Sequence, residues 1–217
     1  MNEMERLIVE VEQMQGFSKD MELLQSITSP LIQQYVGFKQ EKPDHVLFMQ
    51  VGDFYELYAS DAENASITLS LHLTSRTIGG IEIPMCGFPA KTAADFAQKL
   101  AKAGYQVAMA SQSKSEEGDV SRAIDQVFTP STVYDEAYVE RDEQQYLMTA
   151  YVMKNEMGVA LVDTLSGEVV THRVRNQYGI FDLLSRYQPK EVGMYLTKDF
   201  EPEFLSKLKQ DPRIQIF

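Results

Sequence analysis

The chain has 217 residues and a mass of 24.7 kDa, with 44% hydrophobic and 24% charged residues, which is typical of one or two globular domains and excludes disordered, collagen-like and coiled-coil proteins. No apolar run approaches the roughly 18 residues of a membrane span, and the acidic N-terminus is unlike a signal peptide, so we expect a cytoplasmic protein with no membrane partner. The net charge of −12 is spread along the chain, which argues against a module that holds nucleic acid mainly by neutralising phosphates.

The first half of the chain is predicted to mix helices with short strands. Residues 1–16 are predicted to form a helical extension, and residues 17–133 the first domain. Ser29-Pro30 is typical of a helix start, and Lys42-Pro43 ends that helix. The other elements, predicted from apolar periodicity and turn residues, are strands at 45–51 and 54–58, a helix begun by a capping box of Ser60 and Glu63, a hairpin at 73–85, a helix at 92–103, a strand at 105–110, a loop at 111–119 and a strand at 124–128.

The second half begins after Thr129-Pro130 with a change of composition. Residues 134–144 are acidic and weakly apolar, so we expect an exposed linker. The second domain, residues 145–217, is predicted to have strands at 146–153, 157–162, 168–174 and 191–196, helices at 177–187 and 201–210, and a last apolar run at 214–217. The fold class is therefore α/β (α+β), with mixed sheets covered by helices. Because the second domain is small and ends on an apolar strand, we expect the natural polypeptide to continue.

Sequence motifs for catalysis are missing. The chain contains no G-x-x-x-x-G-K-[ST], G-x-G-x-x-G or G-x-S-x-G motif, which excludes the common phosphate-binding loops. The single cysteine, Cys86, is predicted to be a small core residue, and it excludes an intrachain disulfide. We therefore predict no catalytic residue, metal site or cofactor. A nuclease with Asp163, Asp182 and Glu191 around a divalent metal is a minor alternative, because the spacing of these carboxylates is not diagnostic.

An aromatic and acidic run follows the predicted turn at residues 52–53. Side chains alternate between the two faces of a strand, so Phe54, Glu56 and Tyr58 share one face. The other face carries Tyr55 and Leu57. If the core takes Tyr55 and Leu57, Phe54 and Glu56 project together into solvent as an aromatic ring beside a carboxylate. If the core takes Phe54 and Tyr58 instead, Glu56 is an ordinary solvated residue.

Four sequence blocks resemble the amino-terminal region of the MutS family of DNA mismatch repair proteins. They are residues 51–58 (VGDFYELY), 73–76 (LTSR), 83–89 (IPMCGFP) and 128–130 (FTP), in the order and spacing of that family. The resemblance is clearest over about residues 29–135. It extends by pattern over residues 145–217, where the family has its connector domain. The resemblance implies a mixed-sheet mismatch-recognition domain followed by an incomplete connector domain with a ribonuclease-H-like fold.

The resemblance also implies a function. In the family, the phenylalanine of a Phe-x-Glu motif stacks on a mispaired or unpaired base from the minor groove, and the glutamate hydrogen-bonds to that base. Phe54 and Glu56 match this motif. The implied partners are mismatched double-stranded DNA and, through the connector domain, a MutL-like repair protein. ATP, Mg²⁺ and the dimer interface belong to family regions that this chain lacks, so we expect a segment that is not an enzyme and is monomeric in isolation.

The sequence departs from the family pattern in positions that carry charge. Gln50 stands where an arginine is common, and Ala90-Lys91 replaces an aromatic-histidine pair. Residues 120–131 lack most of a usual basic run. We expect Arg76 and Arg122 to contact phosphate or the groove, with a solvated surface position as the plain alternative. A second function also stays open. In this alternative the chain is a divergent module that binds proteins and no longer reads mismatches.

Overall fold

The computed structural model describes residues 19–114, 120–133, 144–153, 156–196, 202–211 and 213–216. The chain divides into two compact units, Met1–Thr129 and Pro130–Phe217. The helical extension predicted at 1–16 and nearly all of the acidic linker predicted at 134–144 lie outside the described residues and stay predictions. No described helix is long and apolar enough to cross a membrane.

The first unit is built on a six-stranded sheet. A helical segment at residues 19–25 comes first. The elements that follow are α1 (Pro30–Glu41), β1 (His45–Val51), β2 (Phe54–Tyr58), α2 (Ala59–Leu69), β3 (Thr74–Ile78), β4 (Ile81–Pro89), α3 (Ala93–Lys102), β5 (Gln106–Lys114) and β6 (Val120–Phe128). The strand order is β3-β4-β2-β1-β5-β6. β1 and β5 run parallel, and the other neighbouring pairs are antiparallel.

Each face of this sheet buries its own apolar layer. On one face, Ile32 of α1 belongs to the same buried cluster as Leu47 of β1. On the other face, the ring of Phe88 meets those of Phe48 and Phe96 edge to face, with centroids 4.9 and 4.8 Å apart. Because Phe96 lies on α3, that helix covers this second face. Aromatic pairs of this geometry add about 0.5–1.5 kcal/mol each beyond their buried area, so β1, β2 and β4 form a firmly packed support.

A buried carboxylate connects the first helices to the sheet. Asp61, in the first turn of α2, accepts hydrogen bonds from the Tyr35 hydroxyl at 2.5 Å and from the Leu47 N–H at 3.1 Å. It also forms an ion pair with Lys39 Nζ at 3.1 Å. Burial, and then the Asp61 charge, raise the pKa of the Tyr35 phenol well above its ordinary value. A buried charge persists only when it is paired and hydrogen-bonded, so this cluster ties α1, β1 and α2 together.

The second unit has a five-stranded sheet of order β11-β10-β7-β8-β9. Its elements are β7 (Tyr146–Val152), β8 (Met157–Asp163), β9 (Val169–Val174), α4 (Gly179–Tyr187), β10 (Glu191–Leu196), α5 (Pro202–Lys209) and β11 (Ile214–Ile216). β7, β8 and β9 form an antiparallel meander, whereas β10 pairs in parallel with both β7 and β11. The buried core combines Met148 and Leu161 with Ile180 of α4 and Phe204 of α5, so both helices cover one face of this sheet.

Within the described residues the predicted elements are present, with differences at their ends. The capping box predicted from Ser60 and Glu63 is wrong, because α2 begins at Ala59 without a side-chain cap. The Ser60 N–H donates instead to the Asp20 carboxylate at 3.1 Å. Residues 111–114, predicted to be loop, continue β5. β5 pairs there with the edge strand β6. Ser111 and Gln112 are half-buried and Ser113 is exposed, which suits polar side chains near a sheet edge.

Residues 130–133 lie in the second unit, although they are predicted from the sequence to end the first domain. The Gln145 side chain donates to the Pro130 carbonyl at 2.9 Å, and the Thr164 hydroxyl donates to the Ser131 carbonyl at 2.7 Å. The Ser131 hydroxyl donates to the Glu191 carboxylate. These partners are distant in sequence, so a change of composition does not reveal them.

Candidate nucleic-acid interface

A tight turn places Phe54 at the start of β2. Gly52 has a φ of +62°, a left-handed conformation that glycine adopts without a steric penalty. After this turn Phe54 pairs with Val51 of β1 and with Pro89 of β4. The Phe54 side chain is nevertheless 51% exposed, and no aromatic ring packs against it within the described part of the chain. The sheet therefore holds the backbone of Phe54 while its ring meets solvent.

Alternation along β2 assigns its two faces. Tyr55 and Leu57 are 5% and 0% exposed, so the core takes these two residues and Phe54 lies on the opposite face. Tyr58 shares the face of Phe54 but is buried, because the ring of Tyr35 on α1 meets it edge to face at 5.1 Å. One face of this short strand therefore passes from solvent at Phe54 to core at Tyr58, and Glu56 lies between them.

Glu56 does not project freely into solvent, which corrects the sequence-based expectation. Its Oε2 atom accepts hydrogen bonds from the Tyr58 hydroxyl and from Arg76 Nη1, the latter at 2.8 Å. Its side chain is only 14% exposed. Gly87 lies opposite Glu56 in the register of β2 and β4 and has no side chain to cover it. A glycine at such a position permits close approach of a ligand.

A network of polar side chains holds the turn that precedes Phe54. Gln112 Oε1 accepts the Gly52 N–H at 3.0 Å, and Gln50 Oε1 accepts the Gln112 N–H at 2.8 Å. Arg122 of β6 donates through Nε to the Gln50 carbonyl at 2.6 Å and through Nη1 to Gln34 Oε1 at 2.8 Å. Sequence reasoning missed this network because its members lie up to 88 residues apart and share no local pattern.

Comparison with known sequences identifies the family. A family model described as MutS domain I matches residues 29–137. The chain belongs to the MutS family. The matched range contains Phe54 and Glu56, together with the turn and the strands that hold them.

Three curated MutS relatives are each named DNA mismatch repair protein MutS. The protein of Acetivibrio thermocellus is 36% identical over 171 residues, which cover 76% of this chain and 20% of the relative. The protein of Ruminiclostridium cellulolyticum is 35% identical over 189 residues, covering 84% and 22%. That of Alkaliphilus metalliredigens is 33% identical over 190 residues, also covering 84% and 22%. The chain thus spans about a fifth of the length of these relatives.

The two arginines predicted as DNA contacts occupy different surroundings in this MutS-family chain. Arg76 has a side chain that is 43% exposed, and its Nη1 atom binds Glu56. All three guanidinium nitrogens of Arg122 donate within the chain, since Nη2 lies 3.4 Å from Gln112 Oε1. Neither comparison tests a phosphate contact, so both contacts stay predictions. The structure pairs Arg76 with Glu56, and Arg122 forms hydrogen bonds to the residues that hold the turn before Phe54.

Two of the carboxylates named for the nuclease alternative, Asp163 and Glu191, accept hydrogen bonds within the second unit. Asp163 accepts hydrogen bonds from the Ser166 hydroxyl at 2.7 Å and the Leu165 N–H at 3.1 Å. Burial alone would raise the pKa of Asp163, but these hydrogen bonds outweigh it and lower that pKa. Glu191 accepts from the Ser131 N–H at 3.1 Å. Across the described ranges, no group of three or more His, Cys, Asp or Glu side chains is placed to hold a metal ion.

Cys86 is a core residue, as predicted. It is 0% exposed, and its Sγ atom donates to the Ala62 carbonyl at 3.6 Å. Burial raises the pKa of its thiol to about 11. Since the thiolate is the nucleophile, the raised pKa disfavours the reactive form of this thiol at neutral pH.

Proposed function

We propose that the first unit recognises mispaired or unpaired bases in double-stranded DNA, with Phe54 as the wedge that stacks on the base and Glu56 as its hydrogen-bonding partner. One observation carries the proposal. A half-exposed ring, on a firmly packed strand and with no neighbouring ring among the described residues, lies two residues from a carboxylate. The name of the relatives, DNA mismatch repair protein MutS, supports the same function.

The wedge selects deformable sites. Insertion of a side chain between base pairs costs a few kcal/mol of unstacking, and less where pairing is already broken. A protein that inserts Phe54 therefore distinguishes sites by their ease of deformation and not by their sequence. This mechanism suits a chain with a net charge of −12, because it does not depend on a basic surface.

Glu56 adds discrimination by repulsion. A carboxylate close to DNA repels phosphates, and it favours binding only where a base offers a hydrogen-bond donor. At a perfect duplex the repulsion remains without that compensation, which is a penalty against the wrong partner. Glu56 thus contributes more to the ratio of the two affinities than to either affinity alone.

For the second unit we propose the ribonuclease-H-like connector domain of the family. Its sheet supports this assignment, because an antiparallel meander is followed by two strands that each come after a helix and run parallel to the first strand. In this proposal a MutL-like partner binds through the connector. ATP and Mg²⁺ act in regions of the longer relatives outside this chain, and the segment itself is monomeric and not an enzyme.

The proposal is tested in a chimaera in which this chain replaces the matching segment of the Acetivibrio thermocellus relative. Affinities for a perfect duplex and for a duplex with one mispair are measured at a single salt concentration, because binding to DNA depends steeply on salt. Phe54→Ala should abolish the preference for the mispair. Glu56→Ala should lower the ratio of the two affinities while binding to perfect duplex holds or tightens.

One result would contradict the proposed function. A mismatch preference that survives both Phe54→Ala and Glu56→Ala would show that other residues read the mispair. A parent chimaera with no mismatch preference would instead favour the protein-interaction module.

A separate expectation concerns the chain alone. We expect it to bind DNA at the roughly tens-of-micromolar level of non-specific binding or weaker, with little preference for a mispair. Sub-micromolar mismatch-selective binding would contradict this expectation and show that the acidic chain holds DNA by another route.

A further inference from the structure

Two hydrogen-bond donors from different strands converge on one oxygen of Glu56. The Tyr58 hydroxyl and Arg76 Nη1 both donate to Oε2, and Arg76 Nη1 lies 3.5 Å from the Tyr58 hydroxyl oxygen. Within the described residues, no hydrogen bond reaches the other carboxylate oxygen, Oε1. One oxygen is thus held by the protein while the second remains an available acceptor.

We propose that Tyr58 and Arg76 are positioning residues that hold the Glu56 carboxylate in one orientation beside Phe54. A base stacked on Phe54 would then meet a fixed acceptor. A glutamate side chain that is free in solution loses considerable rotamer entropy when it binds, and positioning beforehand removes that loss from the binding step. The inference rests on the proposed function and deepens it by naming the groups that set its selectivity.

Tyr58 can hold Glu56 because its own ring is fixed in the core. The ring is 1% exposed and packs edge to face on Tyr35. Burial, and next the adjacent Glu56 carboxylate, raise the pKa of the Tyr58 phenol well above its ordinary value. The hydroxyl therefore stays protonated and keeps donating at neutral pH. A buried donor on a rigid ring thus anchors a side chain that borders solvent.

Arg76 contributes a charge as well as a donor. It lies on the edge strand β3, opposite Ile83 of β4, and charge-assisted hydrogen bonds are stronger than neutral ones. An arginine that acts through Glu56 changes the ratio of mismatch to perfect-duplex affinity. Removal of an arginine that contacts a phosphate instead lowers both affinities about equally and reduces the salt slope by about one. The salt dependence therefore separates the two roles.

The first test measures the order of the Glu56 side chain in the 217-residue chain. Tyr58→Phe removes the hydroxyl and keeps the ring. Tyr55→Phe is the matched control, because Tyr55 is the other tyrosine of β2 and its hydroxyl is hydrogen-bonded to Ser111 at 2.8 Å on the opposite face. Relaxation of selectively ¹³C-labelled glutamate should show an ordered Glu56 in the parent and the control, and rotamer averaging in Tyr58→Phe and Arg76→Gln. Unchanged order in Tyr58→Phe would overturn the proposal.

The second test measures discrimination in the chimaera. Tyr58→Phe should lower the mismatch-to-perfect affinity ratio roughly two- to tenfold, the worth of one hydrogen bond, with an unchanged salt slope. It should have no further effect when Glu56→Ala is already present, as expected for residues that act as one unit. Arg76→Gln should also lower the ratio. A uniform loss of affinity with a smaller salt slope would overturn the positioning role of Arg76 and make it a phosphate contact.

The outcomes distinguish this inference from the proposed function. If Glu56→Ala lowers the ratio and Tyr58→Phe does not, Glu56 reads the base without help from Tyr58 and the inference is wrong. If neither Phe54→Ala nor Glu56→Ala changes the ratio, the proposed function itself fails. If Tyr58→Phe lowers the ratio equally with and without Glu56, its effect is structural and the inference is again wrong.

Discussion

The two units expose aromatic side chains in opposite ways. In the first unit Phe54 is 51% exposed and, within the described residues, has no ring against it. In the second unit Tyr151 and Tyr195 are 49% and 52% exposed, but their rings stack on each other with centroids 5.1 Å apart and planes at 6°. The three rings are therefore similarly exposed, but the face of the Phe54 ring is available to a ligand whereas the two tyrosine rings already stack on each other. Exposure alone does not identify a platform for a base.

The sheets that carry these residues explain the difference. The first sheet has helices on both faces, and Phe54 reaches solvent at the first residue of β2, beyond the helical cover. The second sheet has α4 and α5 on one face. Its other face surrounds the two tyrosines with small residues such as Thr149, Gly158 and Gly193. On that open face the tyrosines reduce exposed apolar area by covering each other.

The largest expected effect is a loss of stability in the first unit that leaves the stability of the second unit unchanged. Asp61→Ala removes one partner of a buried ion pair, which costs about 3–5 kcal/mol, and should destabilise the first unit alone. Native-state hydrogen exchange would report the loss at the Leu47 amide, which binds Asp61, and no change at the amides of β8. Glu63→Ala, at an exposed position of the same helix, should stay within about 0.5 kcal/mol. Equal loss in both units would show that they unfold together.

The next effect concerns the unpaired ring. Phe54→Ala should remove stacking worth about 1–3 kcal/mol per base from mismatch binding in the chimaera. The melting temperature should not change, because an exposed ring leaves no cavity. Phe88→Ala is the matched control, since Phe88 is 2% exposed and its loss should cost about 3–5 kcal/mol of stability. Destabilisation by Phe54→Ala of that size would contradict its description as an exposed wedge.

A smaller effect is expected from the paired rings. Tyr151→Ala should cost the second unit about 0.5–1.5 kcal/mol, the worth of an aromatic pair. A double-mutant cycle with Tyr195→Ala measures the interaction free energy between the two rings. Mismatch discrimination should be unaffected. A fall in discrimination with Tyr151→Ala would remove the distinction between the paired and unpaired rings.

The smallest effect is confined to acid pH and to the second unit. The pKa of Asp163 is lowered in the folded state, so the carboxylate contributes stability above its unfolded pKa of about 3.9. That contribution is lost as the pH falls through the lower folded value. Hydrogen exchange near pH 4 and below should show β8 losing protection, and Asp163→Asn should flatten that dependence. A pH dependence that survives Asp163→Asn must come from other carboxylates.

The sequence predicted most elements because their signals are local. Apolar runs and turn residues such as Gly52 determine where β1 and β2 begin and end, and alternation along β2 restricts Phe54 to one of two faces. The capping box at Ser60 and Glu63 failed because a tertiary contact from Asp20 supplies the hydrogen bond instead. Local propensity is a weak prior that tertiary context overrides.

What the sequence by itself determined is the order of the elements, the Phe-x-Glu run and its resemblance to the MutS family. The tertiary structure decided that Tyr58 is buried while Phe54, on the same face of β2, is exposed, and it decided the surroundings of Glu56. Tyr58 and Arg76 reach the same carboxylate oxygen, although Arg76 is 20 residues from Glu56. Arg122 holds the turn from a strand at the far edge of the sheet. Hydrogen bonds across a sheet depend on strand order as well as register. Apolar pattern and turn geometry restrict the register of hairpin neighbours, but no local pattern specifies which strands distant in sequence become neighbours.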